Sequence, residues 1–248
     1  MGAGRSGTST VAGLLSKSGY FMGQRLLQPT QFNQKGFFED IEINRINEDI
    51  LETVVPRVPE VIRSKLFPGR PKVGQRWLAY LPPNVCPRLT DTTAGQIQEL
   101  LDNQPFCFKD PRFSYTLSAW RPYLKEAAFI CVFRHPLTTV NSILAMAATD
   151  PHLAGLHVTP DRALRVWMAM YSRILTQHAL TGDWLFIHHQ QVLEKTGLES
   201  LATFTGADVD CSFPDKSLMT TQVVPDIPAK ALPIYQELCD RAGCTAKC

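Results

Sequence analysis

The first ten residues combine residue types that bind phosphate-like anions. They read MGAGRSGTST, with three glycines, one arginine and four hydroxyl side chains, and they lead into a helix predicted over residues 8–18. Glycines allow tight turns whose amides point inward at a helix N-terminus, where the partial positive charge of the helix also lies. We call residues 1–10 the glycine-rich segment and expect it to bind an anion.

Several nucleotide and lipidation patterns overlap on this segment. Its Gly-x-Gly-x-x-Gly spacing fits the dinucleotide fingerprint, but that fingerprint needs an acidic residue about twenty positions later, and none precedes Glu39. The nucleotide-triphosphatase loop is matched except that Thr8 replaces the lysine that reaches the β- and γ-phosphates, which favours an anion ending at the second phosphate. A myristoylation signal also fits at Gly2, but acylation there would spoil the loop.

A phosphate-binding loop usually follows a buried strand, and almost nothing precedes this one. Either the start of the protein lies upstream, so that the leading strand is missing from this sequence, or the sheet lacks its usual central strand. We favour the first interpretation.

Composition predicts one domain over residues 1–248. A chain of this length with 44% hydrophobic residues buries a sizeable core, and a net charge of +2 does not by itself indicate nucleic-acid or membrane binding. No apolar run approaches the roughly 20 residues of a membrane span. The seven cysteines form no Cys-x-x-Cys pair, and no histidine lies near Cys239, Cys244 and Cys248. We therefore expect reduced thiols, no metal site and a cytoplasmic location.

Alternating apolar strands and helices indicate an α/β fold. The pattern predicts a three-layer architecture with a central, mostly parallel sheet, helices on both faces and ligand sites at the carboxyl ends of the strands. The predicted strands cover residues 106–108, 127–133 and 184–187. The predicted further helices run from 41 to 51, 92 to 103 and 136 to 148, and then from Pro160, from Gln190, and between Pro228 and Arg241.

Residues 56–90, which we call the basic segment, hold many prolines and seven basic residues against the single acid Glu60. That composition suits either a mobile flap or cap over a binding site, or an ordinary solvated loop.

A second candidate anion site follows the clearest buried strand. Arg134 stands at the end of that strand, and Ser142 lies about two turns into the helix that begins at Pro136. A guanidinium and a hydroxyl so placed suit a second phosphate, separate from the one at the glycine-rich segment. Two anion sites for one nucleotide indicate a cofactor phosphorylated at two places.

At these positions the sequence resembles the sulfotransferases. Residues 4–9 (GRSGTS) resemble their 5′-phosphosulfate loop, and Arg134-His135-Pro136 with Ser142 resembles their 3′-phosphate motif. Residues 36–40 (GFFED) and 109–112 (KDPR) resemble segments of bacterial-type members. The four matches occur in the family's order between residues 4 and 142. The chain departs from the family in lacking the leading strand and in having His188-His189-Gln190-Gln191-Val192 where relatives often carry a Tyr-Glu-Asp-Leu-like segment.

The resemblance implies a P-loop-like fold and the cofactor 3′-phosphoadenosine-5′-phosphosulfate, whose sulfuryl group passes to an acceptor hydroxyl or amine. It assigns cofactor binding to Gly4, Arg5, Ser6, Gly7, Thr8, Ser9, Arg134 and Ser142. Arg5 and the loop amides would hold the 5′-phosphate and the departing charge, and Lys109 would reach the bridging or sulfuryl oxygens. No metal is obligatory for this chemistry.

The acceptor must lose a proton, so a general base is needed near the loop. Glu39 is the choice that the resemblance favours, with Asp40 and Glu42 as rivals. A helix-capping carboxylate is the alternative role for Glu39.

Other polar and aromatic residues have structural alternatives. Residues 109–112 can form a salt-bridged turn in place of a direct contact with the cofactor. The histidines His135, His188 and His189 are expected in loops, and Trp167 and Tyr171 in the core.

Two other functions stay open at this stage. A small-molecule kinase would use ATP with magnesium, but Thr8 in place of the loop lysine disfavours this function. A catalytically silent protein would only bind the nucleotide. A sulfotransferase acceptor would be a small molecule or a carbohydrate. The charges of the basic segment suggest an anionic acceptor such as an acidic sugar, or serve to attract the donor.

Overall fold

Two parallel strands form the sheet of this computed structural model, which describes residues 1–31, 33–218 and 226–245. Strand β1 (Phe129–Phe133) pairs with β2 (Trp184–His188) in a register that sets Phe133 opposite His188. Both strands were predicted from their apolar runs, and both predictions are confirmed. Because the pair is parallel, both strands end at the same edge, so the residues that follow them are neighbours.

Helices account for most of the remaining regular structure, and the mixed α/β class is confirmed. In chain order the helices are α1 (Thr8–Lys17), α2 (Ile41–Glu52), α3 (Glu60–Leu66), α4 (Asp91–Leu101), α5 (Phe113–Trp120), α6 (Pro136–Thr149), α7 (Pro160–Thr176), α8 (His189–Leu193), α9 (Thr196–Thr205) and α10 (Leu232–Arg241).

The core lies on both faces of β1, because successive side chains of a strand point to opposite faces. Cys131 and Phe133 pack on one face with residues of α6 and α7, among them Trp167. Val132 packs on the other face with residues of α1 and α9, among them Leu14. A further buried cluster joins α2, α4 and α5.

The first residues lie along the edge of β1 that faces away from β2. The Met1 nitrogen donates to the Ile130 carbonyl at 2.6 Å, and the Val132 amide donates to the Met1 carbonyl at 2.9 Å. The chain then turns through residues 2–7 into α1. The glycine-rich segment therefore runs alongside β1 and lies near its carboxyl end.

Three features differ from the expectations. Residues 106–108 form no regular strand, since only Phe106 makes an isolated bridge, with Phe21. The basic segment contains α3 and a 3₁₀ turn, Arg76–Leu78, so it is more ordered than its prolines indicate. Helix α5 was not predicted. The sheet of the described residues has two strands, so the wider three-layer arrangement stays a prediction.

Candidate functional site

The glycine-rich segment is braced by Tyr171 of α7. Its hydroxyl accepts from the Ala3 amide at 3.2 Å and donates to the Val132 carbonyl at 2.8 Å, so one side chain fixes the start of the turn to β1. Burial raises the pKa of Tyr171, which keeps the hydroxyl protonated as a donor. Tyr171 was expected as a core residue; it lies in the core and also holds the loop.

Two glycines of the segment are in contact with side chains that reach it from elsewhere. A Cβ at Gly4 would lie 2.5 Å from the ring of Trp77, which belongs to the 3₁₀ turn of the basic segment. Gly7 has a φ of +88°, and a Cβ there would lie 2.1 Å from the His189 ring. Only glycine fits both positions, and the two rings flank the turn.

The backbone of the turn is held in an uncommon conformation at Arg5. Its φ of +69° lies in the left-handed region, which non-glycine residues seldom adopt and which is a recurrent feature of functional loops. No side chain of the described residues caps the N-terminus of α1, which begins directly after Gly7. The start of this helix therefore suits an anion.

Arg5 reaches the second predicted anion site. Its Nε donates to Ser142 Oγ of α6 at 3.1 Å, and Ser142 is buried. A serine hydroxyl that accepts one hydrogen bond still has its own proton to donate. The residues assigned to two separate phosphates are therefore in direct contact across the end of β1.

Arg134 completes this group, which we call the arginine–serine cluster (Arg5, Arg134 and Ser142). Arg134 is 9% exposed, and its Nη2 atom has no hydrogen-bond partner among the described residues. Burial, together with the nearby charge of Arg5, lowers the pKa of Arg134 to about 10. A buried guanidinium with an unmet donor is unfavourable by itself, and an anion would relieve it.

His189 lies close enough to Arg134 to feel its charge, and strand register explains why. Phe133 pairs with His188, so the following residues, Arg134 and His189, leave the sheet side by side. Burial and then the charge of Arg134 lower the pKa of His189 to about 3, so its imidazole is neutral at pH 7. His189 was expected only as a loop histidine, whereas it is the first residue of α8.

The neighbouring His188 has a structural role. Its Nδ1 accepts from the Gln190 amide at 3.2 Å at the start of α8, and its Nε2 lies 3.2 Å from the Tyr235 hydroxyl. His135 is buried at the start of α6, where its Nε2 lacks a partner among the described residues.

A second group of charges joins the predicted base to the predicted catalytic lysine. Lys109 and Glu39 form a short ion pair in which both side chains are buried, and Asn44 donates to the other carboxylate oxygen at 3.1 Å. Phe38, directly before Glu39, has a φ of +53° and packs over Gly13 of α1. Asn33 donates to Ser9 Oγ at 2.9 Å, so this stretch of chain lies along the start of α1.

The two rival bases are used otherwise. Asp40 caps α2, since its carboxylate accepts from the Glu42 and Ile43 amides at 2.8 and 3.2 Å and from the Arg25 amide at 2.6 Å. Glu42 lies nearer the surface and pairs with Arg45 at 2.5 Å. Glu39, by contrast, does not cap the helix.

Asp110 and Arg112 form the salt-bridged turn that was the alternative for residues 109–112. Arg112 contacts Asp110 at 3.0 Å and Glu48 at 2.7 Å, and Glu48 also pairs with Arg76 at 2.8 Å. Although burial alone lowers the pKa of Arg112, Asp110 and Glu48 raise it above its ordinary value. This buried network ties the basic segment to α2, and nothing in the sequence pattern singled out Glu48.

Residues 1–31, 33–218 and 226–245 contain no group of three or more His, Cys, Asp or Glu side chains that could hold a metal ion, and no disulfide joins their cysteines; Cys248 lies outside these ranges. No helix in these ranges combines the length and apolar character that crossing a bilayer requires.

Comparison of the chain with models of protein families, with curated proteins and with solved structures finds no match.

Proposed function

We propose that this protein is a sulfotransferase that uses 3′-phosphoadenosine-5′-phosphosulfate. The single observation that carries the proposal is the arginine–serine cluster, in which a buried Arg134 has an unmet donor beside the Arg5–Ser142 hydrogen bond. Arg5 comes from a turn suited to a 5′-phosphate, whereas Arg134 and Ser142 come from β1 and α6. A ligand with two phosphate groups on one nucleoside matches such a pair of sources.

In this proposal the arginine–serine cluster and the loop hold opposite ends of the sulfate donor, 3′-phosphoadenosine-5′-phosphosulfate. Arg134 and the Ser142 hydroxyl would hold the 3′-phosphate, while Arg5, the amides of residues 6–9 and the N-terminus of α1 would hold the 5′-phosphosulfate. The hydrogen bond between Arg5 and Ser142 then links the two ends. Gly4 and Gly7 allow the Trp77 and His189 rings to lie directly against the loop.

The reaction is a displacement at sulfur. The acceptor oxygen forms a bond to sulfur, and the bond from sulfur to the oxygen of the 5′-phosphate breaks, so that the electron pair leaves on that phosphate. Arg5 stabilises the charge that develops there, and the acceptor proton passes to Glu39. Lys109 pairs with Glu39, and in this proposal it would hold the base and reach a sulfuryl oxygen.

The wider P-loop-like, three-layer fold, a location in the cytoplasm and a small-molecule or carbohydrate acceptor belong to the same proposal. The contact of Trp77 with Gly4 supports a place for the acceptor under the basic segment, because it brings that segment directly onto the loop. The uncapped start of α1 supports the P-loop-like assignment.

The test has two parts on the full chain. Calorimetric titration with 3′,5′-adenosine bisphosphate, ATP and NAD should give measurable binding of the bisphosphate alone at micromolar concentrations. Transfer of labelled sulfate from the donor to a panel of hydroxyl and amine acceptors should then show turnover. Preference for ATP with magnesium would point to a kinase, and bisphosphate binding without transfer to any acceptor would point to a silent nucleotide-binding protein.

A further inference from the structure

A cavity of about 320 Å³ lies within the basic segment and has a strongly cationic lining. Among the described residues, five basic ones line it and Glu60 is the only acidic one; the five are Arg57, Arg63, Arg70, Lys72 and Arg76. A concave site in which one sign of charge dominates concentrates ions of the opposite sign. None of these residues belongs to the arginine–serine cluster.

Three of the five cations already have carboxylate partners. Arg63 pairs with Glu60 through Nε at 2.9 Å, and Arg76 pairs with Glu48 at 2.8 Å. Arg57 contacts Glu52 at 2.9 Å on the surface. These pairs hold the walls of the cavity in place.

Arg70 and Lys72 carry the positive charge that these carboxylates do not neutralise. Arg70 donates from Nη2 to the Pro56 carbonyl at 3.0 Å, and its buried Nε has no hydrogen-bond partner in the described part of the chain. Lys72 is exposed at the cavity, where its charge is felt by Glu60. An anion in the cavity would therefore meet a guanidinium and an ammonium group.

Two adjacent residues of the chain contact the cavity and the donor site. Arg76 lines the cavity, and the next residue, Trp77, covers Gly4 of the glycine-rich segment. The two sites are thus on either side of one 3₁₀ turn, Arg76–Leu78.

We infer that this cavity binds an anionic group of the acceptor. The inference rests on the proposed function, and it narrows the acceptor to a carbohydrate or similar polyol that carries a carboxylate or a sulfate ester. The anionic group sits between Arg70 and Lys72, and a free hydroxyl of the same molecule lies toward Glu39 and the loop. The cavity selects the acceptor by its charge, and sulfuryl transfer takes place at the donor site.

The test measures binding of three tetrasaccharides of equal length to the full chain: a neutral one, one with glucuronate residues and one with 6-sulfate groups. We expect at least one acidic form to bind tenfold or more tightly than the neutral form, and the two acidic arms identify the anionic group. Lys72→Gln and Arg70→Gln should each reduce acidic binding at least fivefold. Lys65→Gln removes an exposed lysine of α3 outside the cavity lining and should have no effect.

Equal binding of the acidic and neutral forms, or acidic binding that survives both cavity substitutions, would overturn the inference. Binding of 3′,5′-adenosine bisphosphate is measured on the same samples. If the nucleotide binds and no acidic tetrasaccharide does, the cavity assignment fails while the sulfotransferase proposal stands. If an acidic tetrasaccharide binds in the cavity and the nucleotide does not, the sulfotransferase proposal fails and the cavity is an anion site of another function. Thermal unfolding of each variant checks that it is folded.

Discussion

Arg5 and Ser142, 137 residues apart in sequence, are joined by a hydrogen bond of 3.1 Å from Nε to Oγ. One lies in the turn before α1 and the other within α6, so the contact connects the two segments that would hold opposite ends of a nucleotide. Because the hydroxyl accepts from Arg5 and can still donate to a phosphate, Ser142 can contact both the arginine and the ligand.

Ser142→Ala tests this link. Removing the hydroxyl should weaken binding of 3′,5′-adenosine bisphosphate by about 0.5–1.5 kcal/mol, the net value of one hydrogen bond. Calorimetric titration measures the change. Thr149→Ala, which removes an exposed hydroxyl near the end of the same helix, should leave the affinity unchanged, and equal losses in the two variants would contradict the assignment.

The contact between Gly4 and the Trp77 ring predicts that substitutions at these two positions compensate for each other. Gly4→Ala places a Cβ 2.5 Å from the Trp77 ring, so the turn or the ring must move, and nucleotide affinity should fall at least tenfold. Gly4→Ala combined with Trp77→Ala should recover most of that affinity because the space is restored.

The matched control for this pair is Gly95→Ala in α4, where a Cβ meets no atom of the described residues within 4 Å. It should bind the nucleotide like the unchanged chain. A double variant as weak as Gly4→Ala alone would show that Trp77 is not what limits the position.

Glu39→Gln tests the proposed base. The amide can still accept from Lys109 but cannot take a proton, so turnover should fall by about 10²- to 10⁴-fold while nucleotide affinity stays close to that of the unchanged chain. Measuring kcat separately from nucleotide affinity distinguishes loss of the base from loss of the site. Glu42→Gln, at the surface end of the same stretch, should retain activity.

The Glu39 substitution also leaves a buried lysine without its charged partner, which costs stability. Urea unfolding of Glu39→Gln therefore accompanies the kinetics. A fully active Glu39→Gln variant would remove this residue from the base role.

Buried histidines predict a loss of stability in acid. Burial lowers the pKa of His178 and His188 to about 4 and that of His189 to about 3, below the ordinary value near 6.5 in an unfolded chain. As the pH falls below about 6.5, the unfolded chain binds protons that the folded chain does not. The free energy of unfolding should therefore decrease toward pH 4, by up to about 1.4 kcal/mol per pH unit for each histidine.

Urea unfolding at pH 8, 6 and 5 measures this slope. His189→Gln removes one of the three groups and should show a shallower decrease than the unchanged chain when both are referred to their own stability at pH 8. Identical slopes would mean that His189 binds its proton equally well in both states.

The sequence predicted the parts of the site that depend on local pattern. The apolar run of β1 and Pro136 at the start of α6 located Arg134 and Ser142, and the glycines located the turn. It could not predict the Arg5–Ser142 contact, because that depends on how α1 and α6 pack across the sheet.

Other residues of the site had no local signal. Glu48 joins Arg76 and Arg112, which lie 28 and 64 residues away, so its role exists only in the folded chain. His189 could have been recognised as a neighbour of Arg134, because His189 is the first residue after β2 and Arg134 is the first residue after β1. Helix α3 was missed because the prolines around it favour loop structure.

The most direct measurement compares 3′,5′-adenosine bisphosphate with 5′-adenosine monophosphate on the unchanged chain and on Arg134→Ala. We expect Arg134→Ala to weaken binding of the bisphosphate by about 1.5–3 kcal/mol, the value of a hydrogen bond to a charged group, and to leave binding of the monophosphate nearly unaffected. Arg165→Ala, which removes a surface arginine, serves as the control. An equal loss for both nucleotides, or no loss for either, would contradict the assignment of Arg134 to a 3′-phosphate.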